Sequence, residues 1–192
     1  VLSLDSKPGQ RVLDVCVAPG GKTFTAAGLM ENKGSLLALD LHPQRAELIA
    51  KGARRLGFDC VEAAANDATC FQPKLGLFDR ILCDVPCSGI GVLRRKPEIR
   101  YKDPADFADL PAIQHKILEE SAKYAAEGCR LVYSTCTLNP AENQQVAEAF
   151  LADHPDWQTG RLPAILGEGW QTTLMDTEWN CDGFFISVLE KK

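Results

Sequence analysis

Two cysteines stand in short polar segments that each follow an apolar run. Cys87 belongs to DVPCSG, residues 84–89, and Cys136 belongs to STCTLN, residues 134–139. The apolar runs predict buried strands, and open α/β sheets bind ligands in a crevice at the carboxyl ends of such strands. We therefore expect both thiols and the Asp84 carboxylate to converge in one crevice. A thiolate there could act as a covalent nucleophile, although a single cysteine of this kind is more often a small buried apolar residue.

A glycine-rich turn in VLDVCVAPGGKT, residues 12–23, predicts a ligand site. Gly20 and Gly21 allow positive φ angles and a close backbone approach, and the first turn of the following helix offers free N–H groups. A Walker loop would need glycine where Cys16 stands, and the GxGxxG dinucleotide fingerprint is absent. S-adenosylmethionine is the remaining common ligand of such a turn. A tight turn without a ligand is the alternative.

Two aspartates stand where the rest of such a cofactor would be held. Asp40 ends the apolar run LLALD, about twenty residues after the glycine turn, where a carboxylate can accept hydrogen bonds from ribose hydroxyls. A helix N-cap is its alternative role. Asp67, in NDAT, would lie near the adenine or form an Asx turn. Arg45 either faces this pocket or pairs with a glutamate on its own helix.

The elements that must position these residues alternate between short apolar runs and longer amphipathic stretches. Strands are predicted at residues 11–16, 35–40, 79–84, 130–136 and 184–189. Helices are predicted at residues 21–31, 43–56, 111–126 and 140–153, three of them opened by proline. This alternation predicts an α/β fold with a mostly parallel sheet and helices on both faces. No element is predicted in residues 157–181.

Composition limits the classes of protein to consider. The 192 residues are 45% hydrophobic and 24% charged, which suits a single domain with a sizeable core. The formal charge of −5 excludes a surface that is basic all over, so a nucleic acid would be met by a local basic patch. The acidity lies in residues 141–192, which hold 3 Lys and Arg against 9 Asp and Glu.

The eight cysteines do not predict a metal site, because no two of them form a CxxC pair. No signal peptide and no hydrophobic run of membrane length accompany them. We therefore expect reduced thiols, a cytoplasmic protein, no metal and no membrane partner.

Four motifs resemble those of the RNA 5-methylcytosine methyltransferases, in the same order: VLDVCVAPGGKT, DVPCSGIGVLRRKPEI, LVYSTCTLNPAEN and DGFF. They are most similar to the bacterial ribosomal RNA small-subunit methyltransferase B group, also called Fmu or Sun. The resemblance spans nearly the whole chain. It implies a class I S-adenosylmethionine-dependent methyltransferase, Rossmann-like, with a mixed, mostly parallel seven-stranded sheet whose antiparallel strand would be residues 184–189. It also implies a single catalytic domain, residues 1–192, of a protein with a further N-terminal RNA-binding domain.

The resemblance assigns roles to the predicted site residues. Cys136 would add to carbon 6 of a cytosine so that carbon 5 can attack the cofactor methyl group. Cys87 would act after the transfer, when the carbon 5 proton leaves and the bond to Cys136 breaks. Asp84 would bind the amino and N3 edge of the base. Asp40, Asp67 and Asp84 would also contact the cofactor, whose methionine end would lie against Cys16, Val17, Ala18, Pro19, Gly20, Gly21 and Lys22.

A basic segment directly follows the first cysteine motif. Residues 92–109 lack a clear period and predict a long ordered loop at the carboxyl edge of the sheet. Tyr101 could stack on a base. Glu98 is the one acidic residue among the five basic residues expected to hold RNA phosphates: Arg94, Arg95, Lys96, Arg100 and Lys102. A solvated charged face is the alternative.

The resulting hypothesis is an enzyme, acting as a monomer, that methylates carbon 5 of a cytosine in RNA, with small-subunit ribosomal RNA as the favoured substrate. Transfer RNA is the nearest alternative substrate. A DNA cytosine methyltransferase is disfavoured, because its nucleophile lies in the loop after the fourth strand and a cysteine after the fifth is not expected. A module that binds S-adenosylmethionine or RNA without turnover is the alternative from another class.

Overall fold

The computed structural model of the chain describes residues 1–17, 19–175 and 180–192. Ala18, predicted to contact the cofactor, lies outside the described residues, as do residues 176–179. The described part contains eight strands and four α-helices. In chain order they are β1 (Arg11–Asp14), α1 (Gly21–Leu29), β2 (Ser35–Asp40), α2 (Pro43–Leu56), β3 (Val61–Ala65), β4 (Phe78–Asp84), α3 (Leu110–Ala122), β5 (Ala125–Thr135), α4 (Gln144–Asp153), β6 (Trp157–Thr159), β7 (Gln171–Leu174) and β8 (Phe184–Lys191).

The sheet is mixed and mostly parallel, which confirms the predicted α/β class. Its order is β3-β2-β1-β4-β5-β8-β6, and β7 also pairs with β8. Strands β1 to β5 run parallel, and β8 runs antiparallel to β5, β6 and β7. No helix among the described residues is long and apolar enough to cross a membrane.

Helices cover both faces of the sheet. Side chains that alternate along a strand point to opposite faces, so Val12 and Leu13 enter different apolar clusters. Val12 packs with Ala26 of α1 and Ile49 of α2, whereas Leu13 packs in the cluster that contains the buried side chains of α3 and α4. The central strands are therefore buried on both faces, as expected for a parallel sheet.

The count of seven strands is wrong by one, because two short strands share the outer edge of β8. Thr159 of β6 pairs with Leu189, and Gln171 of β7 pairs with Ser187. Residues 160–170 leave the sheet between these two pairings. Segments of 3 and 4 residues are too short to show a sequence period, which explains why neither was predicted.

Three of the four helices have boundaries that differ from the prediction, and α1 ends at Leu29 rather than at residue 31. The helix predicted at residues 111–126 ends at Ala122, and β5 begins at Ala125. The helix predicted at residues 140–153 begins at Gln144, because side chains of the preceding turn bond outside it, to Ser88 and to the carbonyl of Thr137. Of the three prolines expected to open helices, Pro43 does so, Pro111 is the second residue of α3, and Pro140 lies outside α4.

The loop after β4 contains three short 3₁₀ turns, Ile90–Val92, Pro97–Tyr101 and Pro104–Phe107. It is anchored where two glycines meet. The N–H of Gly91 donates to the carbonyl of Cys136 at 3.0 Å, and the N–H of Gly183 donates to the carbonyl of Gly91 at 2.8 Å. A Cβ on Gly91 would collide with the carbonyl of Gly183. The loop is thereby fixed to the segments that precede α4 and β8.

The substitution Gly91→Ala should destabilise the protein. We expect the free energy of unfolding to fall by about 2 kcal/mol or more, because backbone atoms rather than flexible side chains would have to move. Gly28→Ala is the control: a Cβ there meets nothing within 4 Å, and its helical position predicts a gain of about 0.5 to 1 kcal/mol. Urea denaturation measures both. Equal stability of Gly91→Ala and the wild type would contradict the close approach.

Candidate active site

The two cysteine segments leave the sheet at the same edge. Strands β4 and β5 are parallel neighbours, and Asp84 pairs in register with Ser134. The loops that follow bring the sulfur atoms of Cys87 and Cys136 to 3.2 Å from each other. The backbone N–H of Cys136 also donates to the sulfur of Cys87 at 3.3 Å. The structure therefore brings together the two thiols that the sequence predicts to converge.

The two thiols differ in acidity. A hydrogen bond from the Cys87 thiol lowers the pKa of Cys136 to about 7, against the opposing effect of burial. The same hydrogen bond, together with burial, raises the pKa of Cys87 far above its usual range. Lys22 also favours the Cys136 thiolate, and Asp84 opposes it. The pair therefore loses its first proton near neutral pH, and the proton that remains on Cys87 stabilises a thiolate at Cys136, which could then act as a nucleophile.

Asp84 is fixed on both carboxylate oxygens. Its Oδ2 lies 2.7 Å from the Nζ of Lys22, and its Oδ1 accepts a hydrogen bond from the Ser134 hydroxyl at 2.8 Å. Lys22 stands in the first turn of α1, so this ion pair joins the glycine turn to the cysteine loops. The ammonium also lies 5.2 Å from the ring centroid of Phe184, within the range of a cation–π contact.

The glycine turn encloses a cavity of about 190 Å³. Gly20 has φ of 102°, a left-handed conformation that glycine adopts without strain, and α1 begins at Gly21. The predicted residues Lys22 and Asp84 also line the cavity, as do Cys16, Val17 and Pro19.

Asp14, which no sequence motif singles out, also lines this cavity. Only 3% of its surface is exposed, and the Thr23 hydroxyl donates to its Oδ2 at 2.8 Å. Its Oδ1 is buried without a hydrogen bond of normal geometry among the described residues. Burial raises the pKa of this carboxyl to about 7, and the hydrogen bond from Thr23 offsets part of that effect. The sequence signal was a carboxylate inside the apolar run of β1, where an unpaired charge is unfavourable.

A second cavity of about 450 Å³ adjoins the first, and both are lined by Cys16 and Asp84. It extends from Asp40 and Asp67 to the two catalytic candidates, Cys87 and Cys136. A path therefore leads from the predicted ribose and adenine contacts to the thiols.

Asp40, Asp67 and Arg45, for each of which the sequence allows a second role, all line this cavity. Asp40 accepts from the N–H of His42 at 2.9 Å, but the N-cap of α2 is His42, so the N-cap alternative for Asp40 is wrong. Asp67 does form the Asx turn, accepting from the N–H of Thr69 at 2.9 Å, and it lines the cavity as well. Arg45 lines the cavity, whereas the nearby Glu47 pairs with Lys51 at 2.7 Å.

The five basic residues of the loop are exposed and line neither cavity. Arg95 pairs with the carboxylate of Asp182 at 2.8 Å, next to Gly183. The ammonium of Lys102 lies 5.7 Å from the ring centroid of Phe107. The loop therefore stands beside the thiols rather than inside the cleft. Within the described part of the chain, no group of three or more His, Cys, Asp and Glu side chains could hold a metal ion.

Comparison with known proteins places this chain in a family. The family described as 16S rRNA methyltransferase RsmB/F matches residues 1–190. The probable ribosomal RNA small subunit methyltransferase B of Bacillus subtilis is 43% identical over 204 residues, which cover 99% of this chain and 45% of that protein. This chain spans about half the length of the curated relatives it matches.

Solved structures agree with this assignment and confirm the methyltransferase fold. The crystal structure of PH0851 superposes with a TM-score of 0.92 and 32% identity, covering 99% of this chain and 44% of that one. NSun6 from Pyrococcus horikoshii, solved with SFG, superposes with a TM-score of 0.85 and 28% identity, covering 99% of this chain and 50% of that one. The match over almost the whole of its length shows that the chain belongs to the RsmB/F family of 16S rRNA methyltransferases.

Proposed function

We propose that this chain methylates carbon 5 of a cytosine in RNA, with S-adenosylmethionine as methyl donor and small-subunit ribosomal RNA as substrate. The observation that carries the proposal is the Cys87–Cys136 pair at 3.2 Å, at the end of a cleft that begins at the glycine turn. One thiol of this pair is acidic enough to be a thiolate at neutral pH. The similarity to ribosomal RNA methyltransferases supports a ribosomal RNA substrate.

The residues of the cleft fit S-adenosylmethionine. The buried Oδ1 of Asp14 suits the ammonium of its methionine end, because a cation supplies the charge and the donors that this carboxylate lacks. Asp40 would hold the ribose, and Asp67 with Arg45 would lie near the adenine. When bound, the cofactor supplies an electrophilic methyl group that carbon 5 can accept. A related structure solved with SFG, an analogue of this cofactor, supports the same choice.

The remaining chemistry belongs to the side chains of the cleft. Carbon 5 of cytosine is a weak nucleophile. Addition of the Cys136 thiolate to carbon 6 turns carbon 5 into the nucleophilic carbon of an enamine. The Asp84 carboxylate would accept from the exocyclic amino group, and the Lys22 ammonium beside it would stabilise the charge that develops on the ring. After methylation, a solvent water accepts the carbon 5 proton, the electron pair of that C–H bond restores the double bond between carbons 5 and 6, and the carbon 6–sulfur bond breaks with its electron pair returning to Cys136. The Cys87 thiol, whose sulfur lies 3.2 Å from that of Cys136, would donate a hydrogen bond that stabilises the departing thiolate.

Separate substitutions of the two cysteines test these roles. With RNA that contains 5-azacytidine, the wild type and Cys87→Ala should form a covalent adduct that survives denaturing electrophoresis. Cys136→Ala should form none, and its methylation rate should fall by at least about 10³-fold, because the nucleophile is lost. Cys70→Ala is the control, since Cys70 is exposed and lines neither cavity.

An adduct in Cys136→Ala but not in Cys87→Ala would contradict the assignment of the nucleophile. Binding of S-adenosylmethionine or RNA by the wild type without an adduct would favour a module without turnover, and absence of cofactor binding would contradict the enzyme hypothesis. Ribosomal and transfer RNA fragments should be compared as substrates in the same assay, because methylation of transfer RNA alone would contradict the proposed substrate.

The substitution Asp14→Asn should stabilise the protein and weaken cofactor binding. Burial raises the pKa of Asp14 from 3.8 to about 7. The favourable contribution of this carboxyl to the free energy of unfolding is therefore complete below pH 3.8, and about 4 kcal/mol of it is lost as the pH rises through about 7. Asp14→Asn should therefore be more stable than the wild type at about pH 8, by about 2 kcal/mol or more. It should also bind S-adenosylmethionine at least about tenfold more weakly, because a charged contact is lost.

Urea denaturation and calorimetry measure the two effects of this substitution. Asp59→Asn is the control, since Asp59 is exposed and lines neither cavity, and it should change neither quantity. Wild-type affinity in Asp14→Asn would show that the ammonium is held elsewhere.

The basic loop should contribute to RNA affinity without selecting a sequence. Lys96→Gln and Arg100→Gln should each weaken RNA binding and reduce the slope of log K against log salt by about 0.7 to 1, because one released counterion is lost per phosphate contact. Arg54→Gln, an exposed residue of the last turn of α2, is the control. Filter binding at several salt concentrations measures the slope, and an unchanged slope in both loop variants would indicate a merely solvated face.

A further inference from the structure

Glu142 is buried among the loops that carry the two cysteines. Its exposed fraction is 0%, and it lies in the turn between β5 and α4. The sequence pattern predicts a helix at this position and gives the residue no role. It lines neither of the two cavities of the active site, so it does not contact the proposed substrate or cofactor.

Four neutral donors surround the Glu142 carboxylate. Its Oε2 accepts from the backbone N–H of Ser88 at 2.8 Å and from Nε2 of Gln114 at 3.0 Å. Its Oε1 accepts from the hydroxyl of Ser88 at 2.6 Å and from Nδ2 of Asn139 at 3.0 Å. A carboxylate accepts about four hydrogen bonds and donates none, so these donors fill its capacity. A glutamine in its place would turn an N–H group toward at least one of them.

These bonds hold the chain on both sides of Cys87. Ser88 follows Cys87 directly and gives Glu142 two hydrogen bonds. Gln114 also donates to the carbonyl of Pro86 at 2.9 Å, which fixes the residue before Cys87 and the orientation of the Gln114 amide. Asn139 belongs to the turn that follows Cys136. One carboxylate thus connects the residues flanking the first thiol to the segment that follows the second.

We propose that Glu142 is a positioning residue for the cytosine chemistry: its carboxylate holds the Cys87 thiol against the sulfur of Cys136 and so sets the reactivity of Cys136. The role in cytosine chemistry rests on the proposed function, whereas the positioning of the thiols rests on the four hydrogen bonds. Burying a carboxylate without a cation is unfavourable unless its hydrogen bonds are complete. A turn that needed only stability could be closed with apolar or neutral groups.

The reactivity of Cys136 can be measured without RNA. Iodoacetamide labels the thiolate, and mass spectrometry of the peptide that contains Cys136 gives its labelling rate at each pH. The groups that face Cys136 are Cys87, Asp84 and Lys22, and the first of these has the largest effect on its pKa. Labelling of the exposed Cys70 in the same samples provides an internal reference.

In Glu142→Gln we expect the midpoint of Cys136 labelling to move from about 7 toward the ordinary thiol value of 9.0, because Cys87 no longer donates steadily to Cys136. At neutral pH its labelling rate should fall several-fold, at most about fiftyfold, as the thiolate fraction falls. Affinity for S-adenosylmethionine should stay within about twofold, since Glu142 is outside the cofactor cleft. Glu148→Gln, an exposed carboxylate on α4, should leave every quantity unchanged.

A folded Glu142→Gln variant that labels Cys136 with the wild-type midpoint would overturn the proposal. If that variant does not fold, Ser88→Ala and Asn139→Ala carry the test, because each removes a side-chain donor and leaves the carboxylate in place. A wild-type midpoint in both would also overturn it, and a raised midpoint in either supports it. Since labelling needs no RNA, a shifted midpoint in a protein that methylates no cytosine would separate failure of the proposed function from failure of this inference.

Discussion

The parallel pairing of β4 with β5 is the constraint on which the site depends. Because Asp84 is in register with Ser134, the loops after both strands start at the same level, and thiols 49 residues apart meet at 3.2 Å. A slip by one residue would send each side chain of a strand to the opposite face of the sheet. The Lys22 contact of Asp84 would then be lost, together with the hydrogen bond that makes Cys136 acidic. The register is well determined, since both faces of these strands are buried.

Two buried carboxylates near the thiols and the glycine turn differ in the number of hydrogen bonds that they accept. Glu142 is satisfied within the chain by four neutral donors, and it belongs to the frame that holds the thiols. Asp14 has one side-chain donor, from Thr23, and burial raises its pKa to about 7. A complete set of hydrogen bonds indicates a structural role, whereas an incomplete set at the base of a cavity indicates that a ligand supplies what is missing. The difference between them is visible only when their partners are known.

Sequence patterns found the features that are local in the chain. Strand β2 and helix α2 have the predicted ends, because period, proline and flanking polar residues coincide there. The patterns could not find Glu142, whose donors lie up to 54 residues away. They also extended α4 through residues 140–143, whose composition suits a helix but whose side chains, such as Asn143, bond to the loop after Cys136 instead. Where tertiary hydrogen bonds compete with local propensity, the sequence alone does not show which prevails.

The acidity of residues 141–192 has a structural use in this arrangement. Among its nine carboxylates, Glu142 fixes the cysteine loops and Asp182 pairs with Arg95, so neither belongs to a merely solvated face. That ion pair and the contact of Gly91 with Gly183 fasten the basic loop to the segment before β8, while Gly91 also bonds to the carbonyl of Cys136. The charges proposed to hold RNA phosphates are therefore attached to the same loops as the proposed nucleophile, Cys136. A phosphate held by this loop would lie at a defined position relative to the Cys136 sulfur, because Gly91 donates directly to the carbonyl of Cys136.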